Sequence, residues 1–411
     1  MFDNFFTTID SLKTFSDWLP YLFIPFVSAF VGWFTNVIAI KMTFYPINYR
    51  GLRPFGWQGI IPSKAPKMAA KSVDLLTQSL FVPKDIFSRI DARQFTNYMD
   101  SGIKSASLQI VNEIMMAQYP VIWSNLSLTQ KEIVYTKVFA ELPDRMINTI
   151  NDVRENINEL LDLKKLTIHA LVEDKSLINR IFLNVGKREF RFIEVSGLYF
   201  GFVFGLIQLM ATLWYNSWWM MPLSGVIVGF LTNYLAIRLI FQPVNPIKIG
   251  PFNIQGLFLK RQTEVAAEYA KIIKSKVLTT ENLFDAIFRD PADNTIHAIL
   301  KKNINIAIDS LLSEIKFFSW TLLKKDTNIA IKNIALFRFS EEIPIIIRPA
   351  LAYADQVLDL ENTLRTKMAA LPSTEFVGFL RPVFQEDEMK LIIVGAILGG
   401  LAGILQFFMS F

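Results

Sequence analysis

The chain has 411 residues, 52% hydrophobic, 13% aromatic and 19% charged, with 36 Phe, two His and no Cys. Charge below the roughly 25% of soluble proteins, with a mean hydropathy of +0.33, excludes a disordered or fibrous chain and argues against a purely soluble one. Lack of Cys excludes disulfides, iron–sulfur clusters, thiolate zinc sites and cysteine nucleophiles, and a net charge of +5 matters less than where its cations lie.

Residues 1–18, with Asp3, Asp10 and Asp17 against Lys13, read as an extracytoplasmic segment. The first span is predicted at 19–45, charged only at Lys41. It lacks the basic leader and small-residue cleavage site of a removable signal peptide. A polar segment, 46–190, follows and is read as a first cytoplasmic helical domain. Spans two and three are predicted at 193–215 and 218–241, joined by a tight turn among Trp214, Tyr215, Trp218 and Trp219, an aromatic belt. A second cytoplasmic helical domain is expected at 243–390, and a fourth span at 391–411, each span reaching the roughly 20 residues a bilayer requires.

Basic residues gather at one end of the spans: Lys41, Arg50, Arg53, Lys64 and Lys67 after span one, Lys187, Arg188 and Arg191 before span two, Arg238, Lys248, Lys260 and Arg261 after span three. The positive-inside rule places these ends in the cytoplasm and both termini outside. Met146, Ile150, Val153, Ile157 and Leu160 recur at 4-3-4-3 spacing, as do Leu300, Ile304, Ala307 and Leu311, and Ile343, Ile347, Ala350, Ala354 and Val357. Such seams predict bundled, coiled-coil-like helices whose stripes are core packing or, alternatively, a hydrophobic conduit for a ligand. No alternating strand pattern is evident.

The two halves of the chain match one another. Pro25, Gly32, Thr35, Asn36, Ala39, Ile40, Phe44, Pro46 and Asn48 coincide with Pro222, Gly229, Thr232, Asn233, Ala236, Ile237, Phe241, Pro243 and Asn245 at an offset of 197 residues. Pro54, Phe55, Gln58 and Gly59 then match Pro251, Phe252, Gln255 and Gly256. Each half reads as span, polar segment, span. Two spans per half is an even number, so the halves enter the membrane in the same direction, related by a pseudo-twofold axis along its normal. The expected architecture is an all-α membrane protein of four transmembrane helices in two parallel repeats.

Gly197, Gly201 and Gly205, and likewise Gly395, Gly399 and Gly403, form ladders at four-residue spacing that permit close helix approach. They read as packing surfaces, most simply where spans two and four meet, or as homo-oligomer contacts. Ser28 with Gly32 and Gly225 with Gly229 are weaker small-residue pairs. Thr35-Asn36 and Thr232-Asn233 lie inside spans, where an amide must find a partner. They read either as interhelical hydrogen-bond glue or as an intramembrane polar site for a ligand, headgroup or ion. The loops after spans one and three set Trp57 and Gln58 beside Arg53 and Lys64, and Gln255 beside Lys260 and Arg261. That mixture suits headgroup contact at the membrane boundary, or a loop folded back on the helices. Half two departs with Asn253 where half one has Gly56.

Before span two stands Lys187-Arg188-Glu189, and before span four Glu386-Asp387-Glu388, which could pair across the axis. His169 with Glu173 and Asp293 with His297 bring no third ligand, so no metal site is assigned. No phosphate loop, serine elbow or carboxylate pair is present, and the basic clusters track span ends rather than one nucleic-acid-binding face.

Thr35–Pro46 with Pro54–Gly59, and Thr232–Pro243 with Pro251–Gly256, carry the pattern T-N-x-x-A-I-[KR]-x-x-F-x-P followed by P-F-x-x-Q-G. This double motif resembles the uncharacterised bacterial membrane proteins of the YheB/YjiN type, in its YheB-like branch. The resemblance implies a multi-pass protein of the prokaryotic cytoplasmic membrane and supplies no activity. The expected role is non-enzymatic and cofactor-free: a membrane-anchored scaffold or adaptor with lipid-headgroup contacts. The alternative is a transporter or lipid-transfer protein using the Thr-Asn pairs at the repeat interface. Expected partners are membrane lipids and either a second copy or another protein, not nucleic acid.

Overall fold

A helix rises 1.5 Å per residue, so about 20 apolar residues cross the roughly 30 Å hydrocarbon core of a bilayer. Four helices in the computed structural model meet that requirement, at Tyr21–Phe44, Lys187–Trp214, Met220–Phe241 and Glu388–Phe408. The structure describes residues 15–52, 56–65, 70, 80–214, 217–288, 294–315, 325–381 and 388–410. Its long helices are α1 (Phe15–Phe44), α2 (Ala92–Gln118), α3 (Leu128–Glu155), α4 (Lys187–Trp214), α5 (Met220–Phe241), α6 (Gln262–Lys276), α7 (Asn294–Ile315), α8 (Lys325–Leu358) and α9 (Glu388–Ser410). Phe23, Phe26, Phe30, Met210, Leu405 and Phe408 are exposed on the spans, an apolar surface that only lipid would cover. The chain is an all-α membrane protein.

It divides into two compact units. The membrane unit comprises Met1–Leu75, Ile168–Ile272 and Arg365–Phe411. In it α1 packs along α4 and α5 along α9, with further contacts of α4 on α5 and of α1 on α9 and α5. Ala39, Ile60 and Leu391 form a buried cluster, with Trp57 and Ile237 against it. Span two begins earlier than the sequence suggested: Lys187 to Arg191 form the first turns of α4 itself, so its basic residues are fixed to the transmembrane helix.

The helical unit comprises Leu76–Thr167 and Ile273–Leu364. Instead of one helical domain per half, the central stretches of both polar segments therefore build a single body. Asp91 caps α2 by accepting from the Gln94 amide, and α2 buries Phe95, Met99, Ile103, Ala106, Ile110 and Ile114 along one face. Ser127 and Gln130 form a capping box that starts α3. Most seam residues are buried, Ile150, Ile304, Leu311 and Val357 only partly, but α2 lies against both α8 and α3, and α3 also against α7. The first seam is broken: α3 ends at Glu155, and buried Ile157 and Leu160 belong to the separate turn Ile157–Leu160.

One strand pair, unexpected from the sequence, follows α5. β1 (Ile247–Ile249) and β2 (Phe252–Ile254) form an antiparallel hairpin that turns at Gly250, whose φ of 58° favours glycine. After α1, Arg50 and Trp57 form an isolated antiparallel bridge, with Gly51 at φ 108°.

Candidate functional site

The glycine ladders meet spans one and three, not each other. A Cβ at Gly197 would lie 2.6 Å from the Asn36 amide nitrogen and closer still to the Gly32 carbonyl. One at Gly201 would lie 2.9 Å from Ala29 Cα, and one at Gly205 2.6 Å from Pro25 Cα. In the other pair, a Cβ at Gly395 would meet the Gly229 carbonyl at 2.8 Å, one at Gly399 would meet Gly225, and one at Gly403 would lie 2.9 Å from Pro222 Cα. A ladder needs a partner whose backbone can also come close, and the small-residue pairs Ser28/Gly32 and Gly225/Gly229 supply it.

That closeness puts the asparagines to use. Asn36 Nδ2 donates to the Ile193 carbonyl of α4 at 2.6 Å, and Asn233 Nδ2 donates to the Leu391 carbonyl of α9 at 2.9 Å. Thr35 and Thr232 turn their hydroxyls back to carbonyls of their own helices at Gly32 and Val228. All four residues are buried, and Asn36 Oδ1 and Asn233 Oδ1 have no hydrogen-bond partner. The cavity beside Asn233 measures about 30 Å³ and is lined by Ile237, Ile240, Phe241, Phe258 and Leu391, which is no path for a polar solute. Farther along, Ser28 Oγ donates to Gln208 Oε1, and Gln208 Nε2 lies 3.5 Å from Gln406 Oε1.

The two loops are tied inward. Gln58 Nε2 donates to the Ile47 carbonyl at 2.8 Å and Gln255 Nε2 to the Val244 carbonyl at 3.2 Å. The amides of Gly59 and Gly256 donate to the carbonyls of Pro46 and Pro243. These glutamines are struts of the loop, and the Trp57 indole nitrogen is buried without a partner. Arg53 lies outside the described residues, Lys64 is partly buried, and Lys260 is exposed. Arg261 faces protein rather than headgroups: it pairs with Glu189 at 2.5 Å and Glu264 at 2.8 Å. Glu264 also pairs with Arg188, whose expected partners Glu386 and Asp387 lie outside the described residues. Hydrogen bonding and charge from Arg261 hold the Glu264 carboxyl below its ordinary range. The pairing His169–Glu173 sits on open surface.

A cavity of about 160 Å³ lies among the helices of the helical unit, along the seam residues Met146, Leu300, Ile304, Ala307 and Leu311. Ile110 and Ile114 of α2, Val138, Leu142 and Met146 of α3, Ile304, Ala307 and Leu311 of α7, and Ile331, Ala335 and Phe339 of α8 line it. Three of the polar side chains at its edge are engaged elsewhere. Arg145 pairs with Glu141, Thr149 Oγ1 donates to the Arg145 carbonyl, and Asn303 Nδ2 donates to Asp152 and to the Ile299 carbonyl. An apolar void of about 150 Å³ stays dry and takes up benzene, so this one suits hydrocarbon. Apolar residues facing one another across four helices look like ordinary core in a sequence. The signal lay in the small residues, Ala307 and Ala335, set among large ones.

No family model matches the chain, and no solved structure matches it. A UPF0754 membrane protein of Cyanothece sp. is 34% identical over 97 residues, 23% of this chain and 24% of that protein. One of Synechococcus sp. is 35% identical over 89 residues, 20% and 21% of the two chains. One of Bacillus cytotoxicus is 40% identical over 62 residues, 14% and 16%. The matches thus span about a quarter or less of the length of these curated relatives. Their names agree with the four apolar helices: this chain is a membrane protein similar in part to the UPF0754 membrane proteins.

Proposed function

We propose that this is a lipid-binding protein of the bacterial cytoplasmic membrane, non-enzymatic, whose helical unit shelters part of a lipid acyl chain. The cavity among α2, α3, α7 and α8 carries the reading: it is apolar, and Arg145, Thr149 and Asn303 at its edge are already paired. This favours lipid handling over solute transport, because the Asn36 and Asn233 amide nitrogens bond helix carbonyls and the cavity beside Asn233 is only about 30 Å³. We further infer that the chain belongs with the UPF0754 proteins, as a YheB-like member, and arose by tandem duplication. Matched bonds support the duplication: Asn36 to Ile193 and Asn233 to Leu391, Gln58 to Ile47 and Gln255 to Val244. With the basic span ends inside, the helical unit is cytoplasmic and both termini lie outside.

Titration of the delipidated full-length protein with a fluorescent fatty acid tests the cavity. Saturable binding that Ala307→Phe and Ala335→Phe abolish without loss of helicity is expected; equal binding by the filled variants would refute it. A scaffold or adaptor role is the second reading. It is favoured by an exposed apolar corner between α2 and α3, where Val121 is 71% and Leu128 85% exposed.

A further inference from the structure

Lys41 and Arg50 stand at the polar end of span one with no acidic partner among the described residues. Between them opens a cleft of about 880 Å³, whose walls include Tyr45, Asn48 and Tyr49. The cleft is built rather than accidental. Arg50 exchanges backbone hydrogen bonds with Trp57 in both directions, Gly59 holds Pro46, and Gln58 holds Ile47. Tyr49 packs on Gly56, where a Cβ would come within 2.5 Å of its ring. Two cations, two phenols and an amide at one cleft form a recognition surface for a phosphate-bearing anion.

The cleft continues a lipid-facing stripe. Ile38, Lys41, Met42 and Tyr45 share one helical face, at the spacing that places side chains above one another. Phe30 and Phe34 extend that face toward the membrane interior, stacked at 5.9 Å and exposed. Leu52, 86% exposed, stands beside the cations. An anion held by Lys41 and Arg50 therefore has a ready surface for attached acyl chains.

The corresponding place in the second half is built differently. Arg238, opposite number of Lys41, donates through Nε to Gln242 Oε1 at 2.9 Å and through Nη1 to the Tyr234 hydroxyl, and lies over the Tyr234 ring. Pro246 and Ile247 replace Tyr49 and Arg50, and Asn253 replaces the Gly56 on which Tyr49 rests. Loss of the tyrosine and loss of the glycine go together, because the ring needs the space the missing Cβ leaves.

We propose that the first half alone carries a headgroup site for an anionic phospholipid, with Lys41 and Arg50 binding its phosphate and Phe30 and Phe34 supporting its chains. Native mass spectrometry of the full-length protein in detergent, titrated with phosphatidylglycerol or phosphatidylcholine, tests this. The wild type should prefer phosphatidylglycerol. Lys41→Ala with Arg50→Ala should weaken that lipid by about fivefold per cation, roughly thirty-fold together. The swap Lys41→Arg with Arg50→Lys should keep the preference, as should Arg238→Ala and the cavity variant Ala307→Phe. Inorganic phosphate in excess should fail to displace the lipid. Equal binding of both lipids, a preference that survives loss of both cations, an equal loss in Arg238→Ala, or displacement by phosphate alone would each overturn the proposal. None of these outcomes bears on fatty-acid uptake by the helical unit, so the two readings fail separately.

Discussion

Gly395→Ala gives the sharpest test of how the spans are joined. The new methyl would lie 2.8 Å from both the Gly229 carbonyl and the Asn233 Cγ, and closer to Asn233 Nδ2. Overpacking of this kind costs about 1–3 kcal/mol. Displacing the amide also loses its bond to Leu391, worth about 0.6 and at most about 1.7 kcal/mol in a membrane. The single variant should lose about 2–4 kcal/mol. Asn233→Ala removes the same bond but also a buried oxygen with no partner, itself a burden of about 1–3 kcal/mol, so it should be nearly neutral. In the double variant the methyl enters the space left by the amide, and only the Gly229 carbonyl still resists it. Unfolding by SDS titration in mixed micelles should then show a favourable coupling of about 1–2 kcal/mol. The equivalent cycle at Gly197 and Asn36 should couple less, because the nearest obstacle there is the Gly32 backbone, which Asn36→Ala leaves in place. Additivity within about 0.5 kcal/mol at Gly395 and Asn233, or a harmless Gly395→Ala, would refute the reasoning.

Other outcomes follow from charged groups and topology. Burial raises the Asp355 carboxyl, but the hydrogen bond from Thr280 and the pairing with Lys274 outweigh it and leave the group below its ordinary value. Its stabilisation is thus present above the usual carboxylate range and lost as the pH falls below about 4; Asp355→Asn should flatten the acid limb of a thermal-midpoint profile. Arg261→Met strands the Glu189 carboxylate, 1% exposed, and should lower the midpoint far more than Arg188→Ala, which breaks a surface pair worth about 0–1 kcal/mol; equal effects would contradict the burial argument. Because the chain has no Cys, Gln109→Cys and Lys301→Cys can be labelled singly in vesicles. Both should react from the same side, and opposite accessibility would break the helical unit apart.

The spans and the small-residue faces were legible because hydrocarbon leaves a chain few options. Backbone polarity must be satisfied within helices, and only small side chains let helices close. Which faces meet was not legible. Gly197 and Gly395 announce close contact, but the partner is set by where Gly32, Ser28, Gly229 and Gly225 fall in space. Gln58, Gln255 and Arg261 misled for a related reason: a polar residue near a span end reads as solvent- or lipid-facing until its carbonyl or carboxylate partner is seen. The interleaving of 76–167 with 273–364 depends on contacts between residues far apart in sequence, and the cavity depends on four helices at once. Its lining is apolar at helical spacing, with only the small residues Ala307 and Ala335 to set it apart from packed core.

Mass spectrometry of the lipids that leave native membranes with the purified protein addresses the central claim most directly. The account predicts a lipid with hydrocarbon chains retained near one per chain by the wild type and lost from Ala307→Phe with Ala335→Phe. Equal retention by the filled variant, or a wild type whose lipids merely mirror the bulk membrane, would contradict it.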